Sequence, residues 1–69
     1  MTEDEYKYQT LFNRGIQHRR LGNLEASIKD LSDATGFKKD KPSAWNNLAL
    51  SQFENEEFLA ALTNYEKAL

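Results

Sequence analysis

His18 is the only histidine in the chain and the first side chain to ask for acid–base or metal chemistry. A general base needs a partner that orients it, and a metal needs several ligands, so one imidazole by itself supplies neither. Hydroxyls are spread over Thr2, Thr10, Ser27, Ser32, Thr35, Ser43, Ser51 and Thr63. None stands in a nucleophile-elbow or phosphate-loop setting, because the sequence reads as having no strand and no glycine-rich loop. Arg14, Arg19 and Arg20 could meet an anionic partner, but basic residues near a helix C-terminus also complement its dipole. Lys38, Lys39 and Lys41 have Asp40 among them and read as a solvated loop. Asn13 and Asn47 are different, since a side-chain amide both donates and accepts and so suits a peptide backbone. These residues predict no enzyme, no metal site and no cofactor.

The composition narrows the classes further. Sixty-nine residues with 39% hydrophobic and 29% charged side chains make one small globular domain or part of a larger one. No apolar run approaches the roughly 20 residues that span a bilayer, so no membrane partner is expected. Met1-Thr2-Glu3-Asp4-Glu5 is acidic with no apolar core behind it, unlike a secretory signal. The chain has no cysteine, which removes disulfides and fits a reducing, cytoplasmic location. A net charge of −2 argues against nucleic acid, which needs a basic face. A chain this short buries only roughly 60% of its unfolded surface and is marginal alone.

Four helices have to position these side chains. Thr2 and Glu5 have capping-box spacing, and Glu3, Asp4 and Glu5 suit a positive helix end, so helix one is predicted from there to Arg20. Its inward face is Tyr8, Leu11, Gly15 and His18, with Gly15 allowing a close helix crossing. Leu21-Gly22-Asn23 is the turn, Gly22 ending one helix and Asn23 capping the next. Helix two runs from Leu24 to about Thr35, with Leu24, Ile28 and Leu31 on its stripe beside Ala26, Ser27 and Ala34. Gly36 is read as its stop and Phe37 as an apolar residue folded back over its end. Pro42 and Ser43 open helix three, which reaches about Asn55, and Glu56-Glu57 opens helix four. There Phe58, Leu62, Tyr65 and Leu69 step by four, three and four along one apolar stripe, flanked by Ala61 and Ala68.

The halves match at one constant offset, the separation of Leu11 from Trp45. The same step pairs Asn13 with Asn47, Gly15 with Ala49, Leu24 with Phe58, Ile28 with Leu62, Leu31 with Tyr65, and Ala34 with Ala68. Trp45, Leu48, Ala49, Ala61, Tyr65 and Ala68 then stand at the spacing of the tetratricopeptide (TPR) repeat, whose period of about 34 residues equals that offset. Residues 8–69 therefore resemble two consecutive TPR units, 8–41 and 42–69, after a lead-in at 1–7, the second unit cut short before its closing loop. The departures are Arg14 for a usual leucine, Gln52 for a tyrosine, Glu56 for the turn glycine, and Pro42 three positions late.

The resemblance implies an all-α fold, an α-solenoid fragment of two stacked helix–turn–helix hairpins with four antiparallel helices. It implies protein binding on a concave surface lined by Gln9, Phe12, Asn13, Ile16, Arg19 and Arg20 in the first unit. In the second unit these positions are Ser43, Asn46, Asn47, Leu50, Phe53 and Glu54. His18 falls where the family often has an aromatic, so it reads as a packed ring, and Trp45 with the aromatic stripe reads as core. A chaperone-type carboxylate clamp is not expected, because Phe12 and Ile16 hold the places of its lysine and asparagine. An amphipathic helix or an extended apolar-acidic segment fits the groove better. The alternative is an assembly face, Leu62, Tyr65 and Leu69, that packs on further TPR repeats or on another copy in a homo-oligomer. An RNA-binding relative is the weakest of the three, given the acidic total.

Overall fold

Thr2 starts the first helix as its spacing predicts. In the computed structural model, which describes residues 1–69, its Oγ1 accepts the Glu5 backbone N–H at 3.2 Å. Glu3, Asp4 and Glu5 occupy the first turn of α1 (Glu3–Arg20) and His18, Arg19 and Arg20 its last, so both ends complement the dipole. Three more helices follow, α2 (Leu24–Phe37), α3 (Pro42–Glu54) and α4 (Phe58–Ala68), with no strand. The fold is all-α: α1 packs on α2, α3 on α4, and α2 joins the two hairpins by packing on α3.

The two hairpin turns are copies of each other. After α1, the Gly22 and Asn23 N–H groups donate to the Arg19 and His18 carbonyls at 3.0 and 2.8 Å. After α3, Glu56 and Glu57 donate to Phe53 and Gln52 at the same two distances, one repeat further on. This pair of bonds caps a helix through one left-handed residue, Gly22 at φ 82° in the first turn and Glu56 at φ 63° in the second. Glu56 is thus a turn residue, and α4 opens at Phe58 instead of at Glu56-Glu57. Asn23 stands at the N-cap of α2, but its side chain makes no capping hydrogen bond.

Gly36 does not stop α2, which continues through it to Phe37. The stop is Lys38, whose backbone is extended (φ −140°, ψ 93°) while its N–H still reaches the Ala34 carbonyl. Phe37 is accordingly the last helical residue and stays partly exposed, with the Lys7 ammonium 5.5 Å from its ring centre. Pro42 begins α3, where its missing N–H costs nothing, and α3 ends one residue before the expected Asn55.

Small side chains set the core. Leu31, Ala34, Ala44, Ala49 and Ser27 are fully buried, with Leu48 and Ala61 nearly so. At Gly15 a Cβ would lie 2.6 Å from Leu31 Cγ, so only glycine lets α1 and α2 approach this closely. Leu11 and His18, expected on the same inward face, are only half-buried. Trp45 is half-buried too. Its indole N–H donates to the Lys39 carbonyl at 2.9 Å and its ring carries the Lys67 ammonium at 4.7 Å, tying loop and α4 to α3. The α4 stripe is not core: Ala61 and Asn64 take the buried places, while Phe58 and Leu62 are more than half exposed and Leu69 fully so.

Candidate interaction surfaces

On the α1–α3 side, Phe12, Ile16, Arg19, Asn47 and Leu50 are half-buried, and Asn13, Arg20 and Asn46 are exposed. Phe12 stacks on Tyr8 with ring centres 5.6 Å apart. Arg19 reaches across to α3, its Nη1 4.0 Å from Glu54 Oε2, while its Nε is buried without a partner. Both amides singled out by spacing are engaged locally. Asn13 accepts a hydrogen bond from Gln9 at 3.0 Å, and Asn47 donates to the Ser43 carbonyl at 2.8 Å. Each still has polar capacity for a ligand, because an amide offers more sites than one bond uses. None of these eight residues lines a cavity; one of about 240 Å³ lies at the N-terminal end among Met1, Glu5, Tyr8, Gln9, Lys38 and Lys41.

Arg14 does not join Arg19 and Arg20 in a basic cluster. It turns to α2 and grips Asp30 with two parallel bonds, Nε to Oδ2 at 2.7 Å and Nη2 to Oδ1 at 3.0 Å. Asp30 is 6% exposed, and the hydrogen-bonding Arg14 guanidinium holds its carboxyl below the usual aspartate range against the opposing effect of burial. His18 completes this cluster, Nε2 standing 3.7 Å from Asp30 Oδ2, with Nδ1 buried and unpartnered. The imidazole is thus a half-buried neighbour of a carboxylate instead of a ring packed wholly in apolar core.

Asp30 was invisible as a site because its partner lies a full helix away. The repeat offset carries the signal: Gln52 and Asn64 stand one repeat beyond His18 and Asp30. They also pair, Asn64 Nδ2 donating to Gln52 Oε1 at 2.6 Å. Each hairpin therefore has a polar clasp between its two helices at equivalent places. A third polar contact crosses between hairpins, where Ser27 Oγ donates to the Gly15 carbonyl at 2.7 Å and sits 2.8 Å from Ser51 Oγ.

The α3–α4 face is open and apolar. Phe53, Phe58, Ala61, Leu62 and Tyr65 line a cavity of about 210 Å³ between α3 and α4, with the Phe53 and Phe58 rings edge to face at 5.4 Å. Leu62 and Tyr65 of the expected assembly face meet here, and Leu69 lies beyond them. Phe53, expected in the concave groove, faces this cavity instead. No group of three or more His, Cys, Asp or Glu side chains is gathered as for a metal, and no helix is long and apolar enough to cross a membrane. No protein-family model, curated protein or solved structure matches the chain.

Proposed function

We propose that this chain is a protein–protein interaction module of two TPR-like helix pairs, and that its α3–α4 face takes a helix from what it binds. The observation that carries this is the chain's own repeat. Phe53, Phe58, Ala61, Leu62 and Tyr65 around the cavity are the repeat equivalents of Arg19, Leu24, Ser27, Ile28 and Leu31. Of these equivalents, Ser27 of α2 sits against Ser51 of α3 and Arg19 of α1 lies beside Glu54 of α3, where the first hairpin packs on the second. The same kind of surface is thus filled by a helix once in the chain and open once.

A copy of residues 36–54 joined directly after Leu69 keeps the repeat offset and offers the open face a second α3. Covering Phe58 and Leu62 is worth about 1.5–3 kcal/mol each if burial is complete. The melting midpoint of the extended chain should therefore rise by at least about 5 °C, since about 1 kcal/mol moves a domain of this size by roughly 4–8 °C. An appended segment that stays non-helical by circular dichroism and leaves the midpoint where it was refutes this role.

A second mode, peptide or helix binding in the α1–α3 groove, is favoured by the half-buried apolar run Phe12, Ile16 and Leu50 beside exposed Asn13, Asn46 and Arg20. In that mode a partner captured by the wild-type chain is lost on Leu50→Glu and kept on Leu62→Glu. The reverse pattern assigns capture to the α4 face.

A further inference from the structure

We propose that the cavity at the N-terminal end of the α1–α3 groove takes the carboxylate side chain of an extended peptide. The peptide's apolar residues then lie along Phe12, Ile16 and Leu50. This rests on groove binding, the second mode above, and names the chemistry of its ligand. Cavity and groove adjoin: Tyr8 in the cavity wall stacks on Phe12, and Gln9 in the same wall bonds Asn13. The site is not the chaperone-type clamp, whose places Phe12 and Ile16 hold.

The wall presents donors with nothing to donate to. Tyr8 is 9% exposed, its ring packed with Ala34 and Ala44, and its hydroxyl makes no hydrogen bond in the chain. Burial, reinforced by the charge of Asp40, raises its pKa, so the phenol keeps its proton and donates at neutral pH. Gln9 spends one amide hydrogen on Asn13 and has a second free. Half-buried Lys38 and exposed Lys41 complete the set, and neither is in an ion pair. The lysines on the helices, by contrast, are engaged: Lys7 with Glu3, Lys29 with Asp33, and Lys67 over Trp45. Glu5 is the one carboxylate in the lining and Asp40 stands nearby, but Lys38, Lys39 and Lys41 outnumber them. A phenol, an amide N–H and two ammonium groups call for an acceptor that carries negative charge. An apolar residue over the same cavity would strip these donors of water and leave them unmatched.

Nuclear magnetic resonance titrations of the isotope-labelled chain test this with capped hexapeptides of leucine and alanine carrying one glutamate. Placing the glutamate first or last covers both chain directions, and the same peptides with glutamine are the controls. The better glutamate probe should bind about tenfold or more tighter than its control, the worth of one charge-assisted hydrogen bond. It should shift the Gln9 side-chain amide and the backbone amides around Lys38 and Lys41. Tyr8→Phe, which keeps the ring in the core, should erase much of that preference and leave the glutamine probe's affinity unchanged. The double variant Lys38→Gln, Lys41→Gln should do the same. Glu5→Gln should enlarge the preference, since it removes the competing carboxylate. Equal affinities for glutamate and glutamine probes in the groove overturn the carboxylate site and leave groove binding standing. So does a preference that the Tyr8 and lysine variants leave intact. If no probe shifts any groove residue at millimolar concentration, or Leu50→Glu weakens neither kind, groove binding falls as well.

Discussion

Asp30 is a buried carboxylate whose charge can be removed with almost no change in volume. It is buried between α1 and α2, held by two bonds from Arg14, and its carboxyl titrates below the ordinary range because that guanidinium favours the charged form. A group whose folded value is depressed contributes stability that is fully present above its unfolded value, at about pH 4. That contribution is lost as pH falls through the lower, folded value. Asp30→Asn, which keeps the shape, should lower the melting midpoint at neutral pH by several degrees and flatten the acid limb of the stability profile. Since Arg14 is more than half exposed and can return to water, the loss stays well short of that for a wholly buried pair. Urea titrations of both proteins from pH 7 downward decide it: parallel acid limbs exclude Asp30 as the titrating group. His18 contributes little that its type alone suggested. One histidine stood out as a chemical candidate, yet the group that organises its surroundings is a carboxylate on the next helix. Spacing within one helix could not reveal it, because the partners come from two.

Helices and turns were more legible than single side chains, and the misreadings have a common physical origin. Thr2, Gly22 and Pro42 each act where their chemistry places them, as side-chain cap, left-handed residue and first-turn proline. Gly36 carries the same letter as Gly22 but sits at ordinary helical dihedrals in open space, so composition alone assigned it a stop it does not make. Glu56 is the converse, a non-glycine held at φ 63° because the turn is copied from the first hairpin. A left-handed non-glycine residue costs roughly 1–2 kcal/mol, part of which glycine returns as backbone entropy. Glu56→Gly should therefore stabilise the chain by about 0.5–1 kcal/mol in chemical denaturation. Gly22→Ala should destabilise it by a similar amount, although nothing lies within 4 Å of the added methyl. Equal stabilities for Glu56→Gly and wild type would mean that the second turn relaxes out of the left-handed region. The stripe on α4 misled in another way. Periodicity reports that a face is apolar, and says nothing of whether the chain supplies its cover, so Phe58, read as core, is more than half exposed, as is Leu62 of the alternative assembly face, while Ala61 and Asn64 hold the buried positions.

At the scale of the whole molecule the two ends of the slab carry different side chains at equivalent repeat positions. The α3–α4 end is apolar and open. The α1 end carries Thr10, Arg14 and Gln17 where the equivalent residues of α3 are Ala44, Leu48 and Ser51, and Asp30 anchors the arginine. Arg14, a departure from the repeat pattern in sequence, is thereby the residue that makes this end unlike an inner repeat. Replacing Thr10→Ala, Arg14→Leu and Gln17→Ser together with Asp30→Asn gives α1 the outward surface of α3 without stranding a buried carboxylate. Such a face complements the α3–α4 end of another copy, and a head-to-tail contact of this kind does not close on itself. The variant should sediment as a ladder of species that lengthens with concentration, beyond whatever the parent chain forms. Adding Leu62→Glu to the same variant blocks the acceptor end and should return it to a folded helical monomer, which separates assembly from misfolding. If the variant without Leu62→Glu is folded yet grows no longer than the parent, the polar side chains of α1 are not what ends the stack.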